Sequence, residues 1–116
     1  MDSATRDALA RILADERART EAALRAHDAA LEGLGAARGD ATADDEHDPE
    51  GATLADEWSR LTGLRAAAVR ELEELDAARA RLADGTYGVC EVCGRAIPLG
   101  RLEVRPTATR CVACAS

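Results

Sequence analysis

The sequence predicts a mainly α-helical protein, an antiparallel coiled-coil helical hairpin followed by a small module built on four cysteines. Three observations carry this. Two long stretches dominated by Ala, Leu, Arg and Glu place apolar residues at three- and four-residue steps. A run rich in Gly and acidic residues separates them. All four cysteines fall in the last quarter, as Cys90-Glu91-Val92-Cys93 and Cys111-Val112-Ala113-Cys114, the spacing by which four thiolates close a tetrahedral zinc site. The expected division is a hairpin over 1–84, with an acidic tip loop near 35–51, and a four-cysteine zinc-finger domain over 85–116.

The first helix is expected from Ser3 to about Leu34, with no proline and no glycine before Gly33. Ser3 or Asp2 is the candidate N-cap, and Asp7 lies near the positive end of the helix dipole. Leu13, Thr20, His27 and Leu34 recur every seven residues, as do Ala10, Arg17, Leu24 and Leu31, a heptad seam that is partly polar. His27 has no Cys, Asp or Glu at metal spacing, so it reads as a packed polar residue on the seam. Gly35, Gly39, Pro49 and Gly51 then punctuate a run carrying Asp40, Asp44, Asp45, Glu46, Asp48 and Glu50, which reads as a loop.

Thr53-Leu54-Ala55-Asp56 resembles a capping box and opens the second helix. Its stripe is Leu54, Trp58, Leu61, Leu64, Ala68, Leu72, Leu75, Ala78 and Leu82, within which Leu54, Leu61, Ala68, Leu75 and Leu82 form an unbroken heptad row. Arg65 and Arg79 are expected to lay their stems along the seam edge. Each helix spans roughly 30 residues, about 45 to 50 Å at 1.5 Å per residue. An antiparallel hairpin buries both stripes, whereas parallel dimerisation through the second helix leaves the first one bare. Asp84-Gly85-Thr86-Tyr87-Gly88 ends the helix, with Gly85 at the left-handed C′ position and Tyr87 expected at the joint. Leu102 and Val104, alternating with Arg101, Glu103 and Arg105, predict a short strand and a small β-hairpin beside the metal.

Composition bounds what such a chain does. Its 116 residues include no Phe, one Trp and one Tyr, too little for a large aromatic core, and all 15 basic residues are Arg. The formal charge of −7 becomes about −9 when four thiolates hold one Zn2+, four negative charges against two positive. That disfavours nucleic acid as the main partner, because such affinity rests on neutralising phosphates, and it disfavours an anionic membrane surface. No long uncharged apolar stretch predicts a transmembrane helix. The chain opens Met-Asp-Ser-Ala-Thr-Arg without an apolar secretory run, so a cytoplasmic location with reduced thiols is expected, against a pair of disulfides. No βαβ pattern surrounds either Cys-x-x-Cys, against a thioredoxin-like pair. No Ser-His-Asp set, phosphate-cradling glycine loop or open three-ligand metal site is legible, so no enzyme is expected.

The segment Asp84-Gly85-Thr86-Tyr87-Gly88-Val89-Cys90-Glu91-Val92-Cys93-Gly94, with Ile97-Pro98, Arg101-Leu102-Glu103, Arg105-Pro106-Thr107-Ala108-Thr109 and Cys111-Val112-Ala113-Cys114, resembles the DksA/TraR zinc-finger family over roughly 82–114. The preceding hairpin resembles that family's coiled coil in architecture. The resemblance implies one structural Zn2+ held by Cys90, Cys93, Cys111 and Cys114. It also implies a monomeric regulator whose coiled coil enters the secondary channel of RNA polymerase and presents acidic tip residues, here Asp44, Asp45, Asp48 and Glu50. The sequence departs from the family at the tip, where Asp-x-x-Asp-x-Ala is replaced by Asp45-Glu46-His47-Asp48-Pro49-Glu50. The chain stops two residues after Cys114, so the C-terminal helix of longer members is expected to be missing and response to guanosine tetraphosphate to be in question. Arg95, Arg101, Arg105 and Arg110 are candidates for a partner-contacting basic face, against ordinary charge compensation of the thiolates. Two other functions fit the same residues: an adaptor binding some other protein through the hairpin, and a redox-sensing zinc switch.

Overall fold

The computed structural model describes residues 1–41 and 49–115, with side chains described outside 38–52. Helix α1 runs Ser3–Ala41, α2 Pro49–Asp84, α3 Leu99–Val104 and α4 Val112–Ala115. Among the described residues there is no strand, only one isolated antiparallel bridge between Val89 and Ala96. The chain forms two compact units, Met1–Arg19 with Leu72–Ser116, and Thr20–Glu71.

In the first unit both long helices have well-made ends. Asp2 is the N-cap of α1: its Oδ1 accepts the Thr5 N–H at 2.7 Å, satisfying one of the donors a helix start leaves unpaired. At the end of α2, Gly85 adopts φ +86 and the Thr86 N–H donates to the Arg81 carbonyl at 3.0 Å, the six-to-one bond of a Schellman stop. The Asp84 carboxylate accepts from both the Thr86 N–H and its hydroxyl, at 3.0 and 2.5 Å. Arg6 of α1 donates Nη2 to the Leu82 carbonyl at 3.0 Å, so one helix supplies a partner for a carbonyl in the last turn of the other. Arg17 of α1 meets Asp76 of α2 at 2.7 Å, which sets the two segments antiparallel.

The core of this unit joins Leu9 and Leu13 of α1, Leu75, Ala78 and Leu82 of α2, and Tyr87, Cys90, Ile97 and Leu102 beyond it. Each fully buried Leu contributes about 1.5 to 3 kcal/mol of transfer free energy. The cysteine module is therefore packed onto the helices by apolar side chains as well as joined to them through the chain.

The predicted strand around Leu102 and its hairpin are corrected to helix α3. In a strand Leu102 and Val104 would share a face, but two helical residues turn the side chain by about 200°. Leu102 is accordingly buried at 1 % exposure and Val104 stands out at 78 %. Pro98 precedes the helix at φ −54 and ψ 139, and its carbonyl accepts the Arg101 and Leu102 N–H groups at 3.0 and 3.2 Å.

In the second unit, Thr20 of α1 and Leu61 and Ala68 of α2 are buried. Asp28 and Arg65 pair at 2.5 Å, so the predicted seam-edge arginine does find an acidic partner. Seven residues further along α1 and seven back along α2, Gly35 faces Trp58, where a Cβ would sit 4.0 Å from the indole. Such opposite steps are what antiparallel pairing requires. Of the predicted row, Leu61, Ala68, Leu75 and Leu82 are buried and Leu54 is half-buried, whereas Trp58 and Leu64 of the predicted stripe are each 39 % exposed. The bare Gly35 gives the indole room to lie along α1 with part of its ring in solvent.

The predicted loop over 35–51 is also shortened. Helix α1 continues through Gly33, Gly35 and Gly39, each costing about 1 kcal/mol relative to Ala, because Ala36, Ala37 and Arg38 between them favour helix. Helix α2 starts at Pro49, ahead of the expected capping box, since proline's fixed φ and missing N–H suit the first helical position.

Candidate metal centre

The first knuckle is built by glycines and backbone pairing. Gly88, at φ +83, turns the chain out of the Tyr87 joint, and its carbonyl accepts the Ile97 N–H at 2.7 Å. The Cys90 N–H donates to the Arg95 carbonyl at 2.8 Å, and Gly94, at φ +73, donates to the Cys90 carbonyl at 3.0 Å. Only glycine adopts that φ at little cost, as the sequence suggested. The second knuckle has Ala115 at the corresponding place and needs no positive φ, because α4 makes the turn: the Cys114 and Ala115 N–H groups donate to the Cys111 carbonyl at 3.1 and 3.0 Å. The two knuckles are thus turned by different means.

Three further bonds hold the knuckles together. The Glu91 N–H donates to the Thr109 carbonyl at 2.9 Å. Arg110 Nε donates to Glu91 Oε1 at 2.8 Å. Arg101, from α3, donates Nε to the Arg110 carbonyl at 2.9 Å.

The sulfurs of Cys90, Cys93, Cys111 and Cys114 all lie within 4.8 Å of one another, with Cys93 and Cys111 3.9 Å apart. Four sulfurs at 2.3 Å from a tetrahedral zinc are about 3.8 Å apart, so the arrangement fits this metal with little closing movement. Cys90 is buried, Cys111 and Cys114 are half-buried and Cys93 is exposed, and all are free thiols. Neighbouring donors divide the thiols unequally. Hydrogen bonds from the Cys93 and then the Cys111 backbone N–H bring Cys90 down to about 6. Cys114 is pushed up to about 12, foremost by its hydrogen bonds with Cys111 and Cys90, then by burial. Four thiolates leave zinc no open position, which suits a structural site rather than a hydrolytic one. His27, half-buried on its seam, is not part of this group.

Three of the four predicted basic-face residues, Arg101, Arg105 and Arg110, line a cavity of about 410 Å³ together with Arg81, Thr107 and Thr109. Arg95 is not among them. Sequence reasoning missed Arg81, whose Nη2 is buried without a hydrogen-bond partner among the described residues. Its place as the basic residue in the last turn of α2, at the negative end of the dipole, is the signal that marks it. The predicted tip residues Asp44, Asp45 and Asp48, and His47 with them, lie outside the described residues. Glu50 falls by its backbone in the first turn of α2.

Among the described residues no helix is long and apolar enough to cross a membrane. Residues 85–116 match the family model of the prokaryotic dksA/traR C4-type zinc finger. The chain is 37 % identical over 71 residues to the uncharacterized protein YteA of Bacillus subtilis (strain 168), covering 61 % of this chain and 30 % of that protein. It is 51 % identical over 41 residues to the RNA polymerase-binding transcription factor DksA of Caulobacter vibrioides, covering 35 % of this chain and 29 % of that one. The chain thus spans less than a third of the length of these curated relatives. The solved structure of transcription factor DksA2 from Pseudomonas aeruginosa superimposes with a TM-score of 0.84 at 28 % identity, covering 99 % of this chain and 83 % of that one.

Proposed function

This chain belongs to the DksA/TraR zinc-finger family, and from that premise we propose that it binds RNA polymerase and regulates transcription. The observation that carries the reading is the likeness over nearly the whole chain to the transcription factor DksA2. The family is one of transcription factors, not of enzymes, and a site closed by four cysteines fits that.

In this reading Cys90, Cys93, Cys111 and Cys114 hold one structural zinc, which stabilises the finger and brings no reactive water. The hairpin enters the polymerase secondary channel, and Asp44, Asp45, Asp48 and Glu50 form the acidic tip that biases the metal-dependent or basic elements it reaches. The finger remains outside, and the arginine-lined cavity of Arg81, Arg101, Arg105 and Arg110 is the face turned to the partner. The experiment is a pull-down of core RNA polymerase by the zinc-loaded chain, with a second secondary-channel binder as competitor. Retention of polymerase, lost on competition, is expected. Retention that the competitor leaves untouched removes the channel from the mechanism, and no retention removes the partner.

A further inference from the structure

Two knuckles that must meet on one metal are joined, in this chain, by a pair of side chains that has no part in coordination. Glu91 sits between the cysteines of the first knuckle, and Arg110 immediately precedes the second. Their Nε–Oε1 bond of 2.8 Å runs parallel to a backbone bond between the same two strands of chain, Glu91 N–H to the Thr109 carbonyl at 2.9 Å. Arg101 of α3 holds the Arg110 carbonyl at 2.9 Å and so anchors this strap to the helix whose Leu102 is in the core. Both partners are 52 % exposed, and an exposed pair of this kind contributes little to global stability.

We propose that the Glu91–Arg110 pair is a strap that sets zinc affinity, acting as a positioning element for the metal rather than as a contributor to fold stability. It rests on the zinc reading above. The four sulfurs come from two short segments, which this pair joins alongside the Glu91–Thr109 backbone bond and the contacts among the cysteines themselves. Without the side-chain pair, zinc binding must do more of the work of fixing the relative placement of the knuckles, and that ordering cost is subtracted from affinity. With the pair formed, the sulfurs stand within 4.8 Å of one another. Partners just outside a coordination sphere act on affinity in this way, with typical losses of 10- to 100-fold on removal.

The test is a zinc competition titration of the full chain against the chromophore 4-(2-pyridylazo)resorcinol, with helix content followed by circular dichroism. E91Q and R110Q should each lower zinc affinity about tenfold while leaving helix content unchanged. Because each takes one charge out of the same pair, E91Q/R110Q should be no weaker than either alone. The reversed pair E91R/R110E should recover most of the loss, which distinguishes a strap from a simple attraction between the Arg110 cation and the thiolates. Losses confined to R110Q, additive losses, or no recovery in the reversed pair overturn the strap. Unchanged affinity in both single variants overturns it while leaving the metal centre intact. A wild-type chain that takes up no zinc overturns the metal-centre reading and the strap together.

Discussion

The hydroxyl of Tyr87 donates to the carbonyl of Pro106 across 2.8 Å, at the junction between the end of α2 and the approach to the second knuckle. The ring is 5 % exposed and belongs to the same core as Leu9 and Leu75. Tyr87→Phe should therefore cost about 1 kcal/mol, the worth of one hydrogen bond with its acceptor left unpaired. Tyr87→Ala, which also empties the ring's space, should cost about 3 to 5 kcal/mol. Urea unfolding of the zinc-loaded chain reads both, and equal losses in the two variants would show that the hydroxyl, not the ring, holds the junction.

Removing zinc should do more than loosen the finger. Cys90, Ile97 and Leu102 are packed with Leu13 and Leu82. Chelation should thus raise hydrogen exchange in residues 85–115 and also in the flanking turns of α1 and α2, over 3–13 and 75–84, while most of the helical circular dichroism is kept. Structural zinc in finger peptides contributes apparent binding free energies on the order of 10 to 16 kcal/mol, so a small module depends on it. Protection that stays unchanged throughout residues 85–115 after complete chelation would remove the metal from the folding argument.

Acid should weaken the first unit through its capping carboxylates. The Thr5 hydroxyl and N–H hold Asp2 below the usual carboxylate range, and the Thr86 hydroxyl and N–H do the same for Asp84. Arg17 holds Asp76 down in the same way. A carboxyl whose folded value is depressed lends stability that is present above the ordinary carboxylate range and is lost as pH falls through the folded value. A chain carrying D2N, D76N and D84N should accordingly be less stable at pH 7, and its deficit against the wild type should shrink as pH drops below about 4. Thermal unfolding from pH 7 to 3 measures this, and a deficit independent of pH would refute it.

At the tip, Asp45→Ala with Asp48→Ala should abolish the effect on transcription in vitro while leaving polymerase retention within about twofold, a difference of some 0.4 kcal/mol. Run-off transcription and the pull-down, made on one preparation, separate action from binding. Full transcriptional effect in this variant would take both aspartates out of the mechanism.

Much of this was legible in the sequence, for identifiable reasons. The row Leu54, Leu61, Ala68, Leu75 and Leu82 repeats over four seven-residue steps, long enough for periodicity to identify both helix and face. Cys-x-x-Cys spacing carries its chemistry in the sequence itself, and all four thiols are found together. The misreadings come from short or permissive signals. Leu102 and Val104 supply a single alternation, which six residues of helix accommodate equally well, and burial against Leu9 and Tyr87 decided between them. Gly35 and Gly39 resembled punctuation, yet glycine only taxes a helix and does not forbid one. Arg81 belonged to a predicted helix and gained its role only when α3 and the second knuckle brought Arg101 and Arg110 beside the same cavity.

The shared core has a consequence for the order of events during synthesis. Leu9 and Leu13 leave the ribosome early, but the residues that cover them extend to Leu102, about 90 positions later. Contacts so distant along the chain are slow to form, and at 5 to 20 residues per second they are delayed by several seconds. Thr20–Glu71, continuous in sequence, can pair well before that. The nascent chain thus carries its first apolar face only partly covered, by Leu75, Ala78 and Leu82, until the segment from Tyr87 to Leu102 has emerged to complete the core.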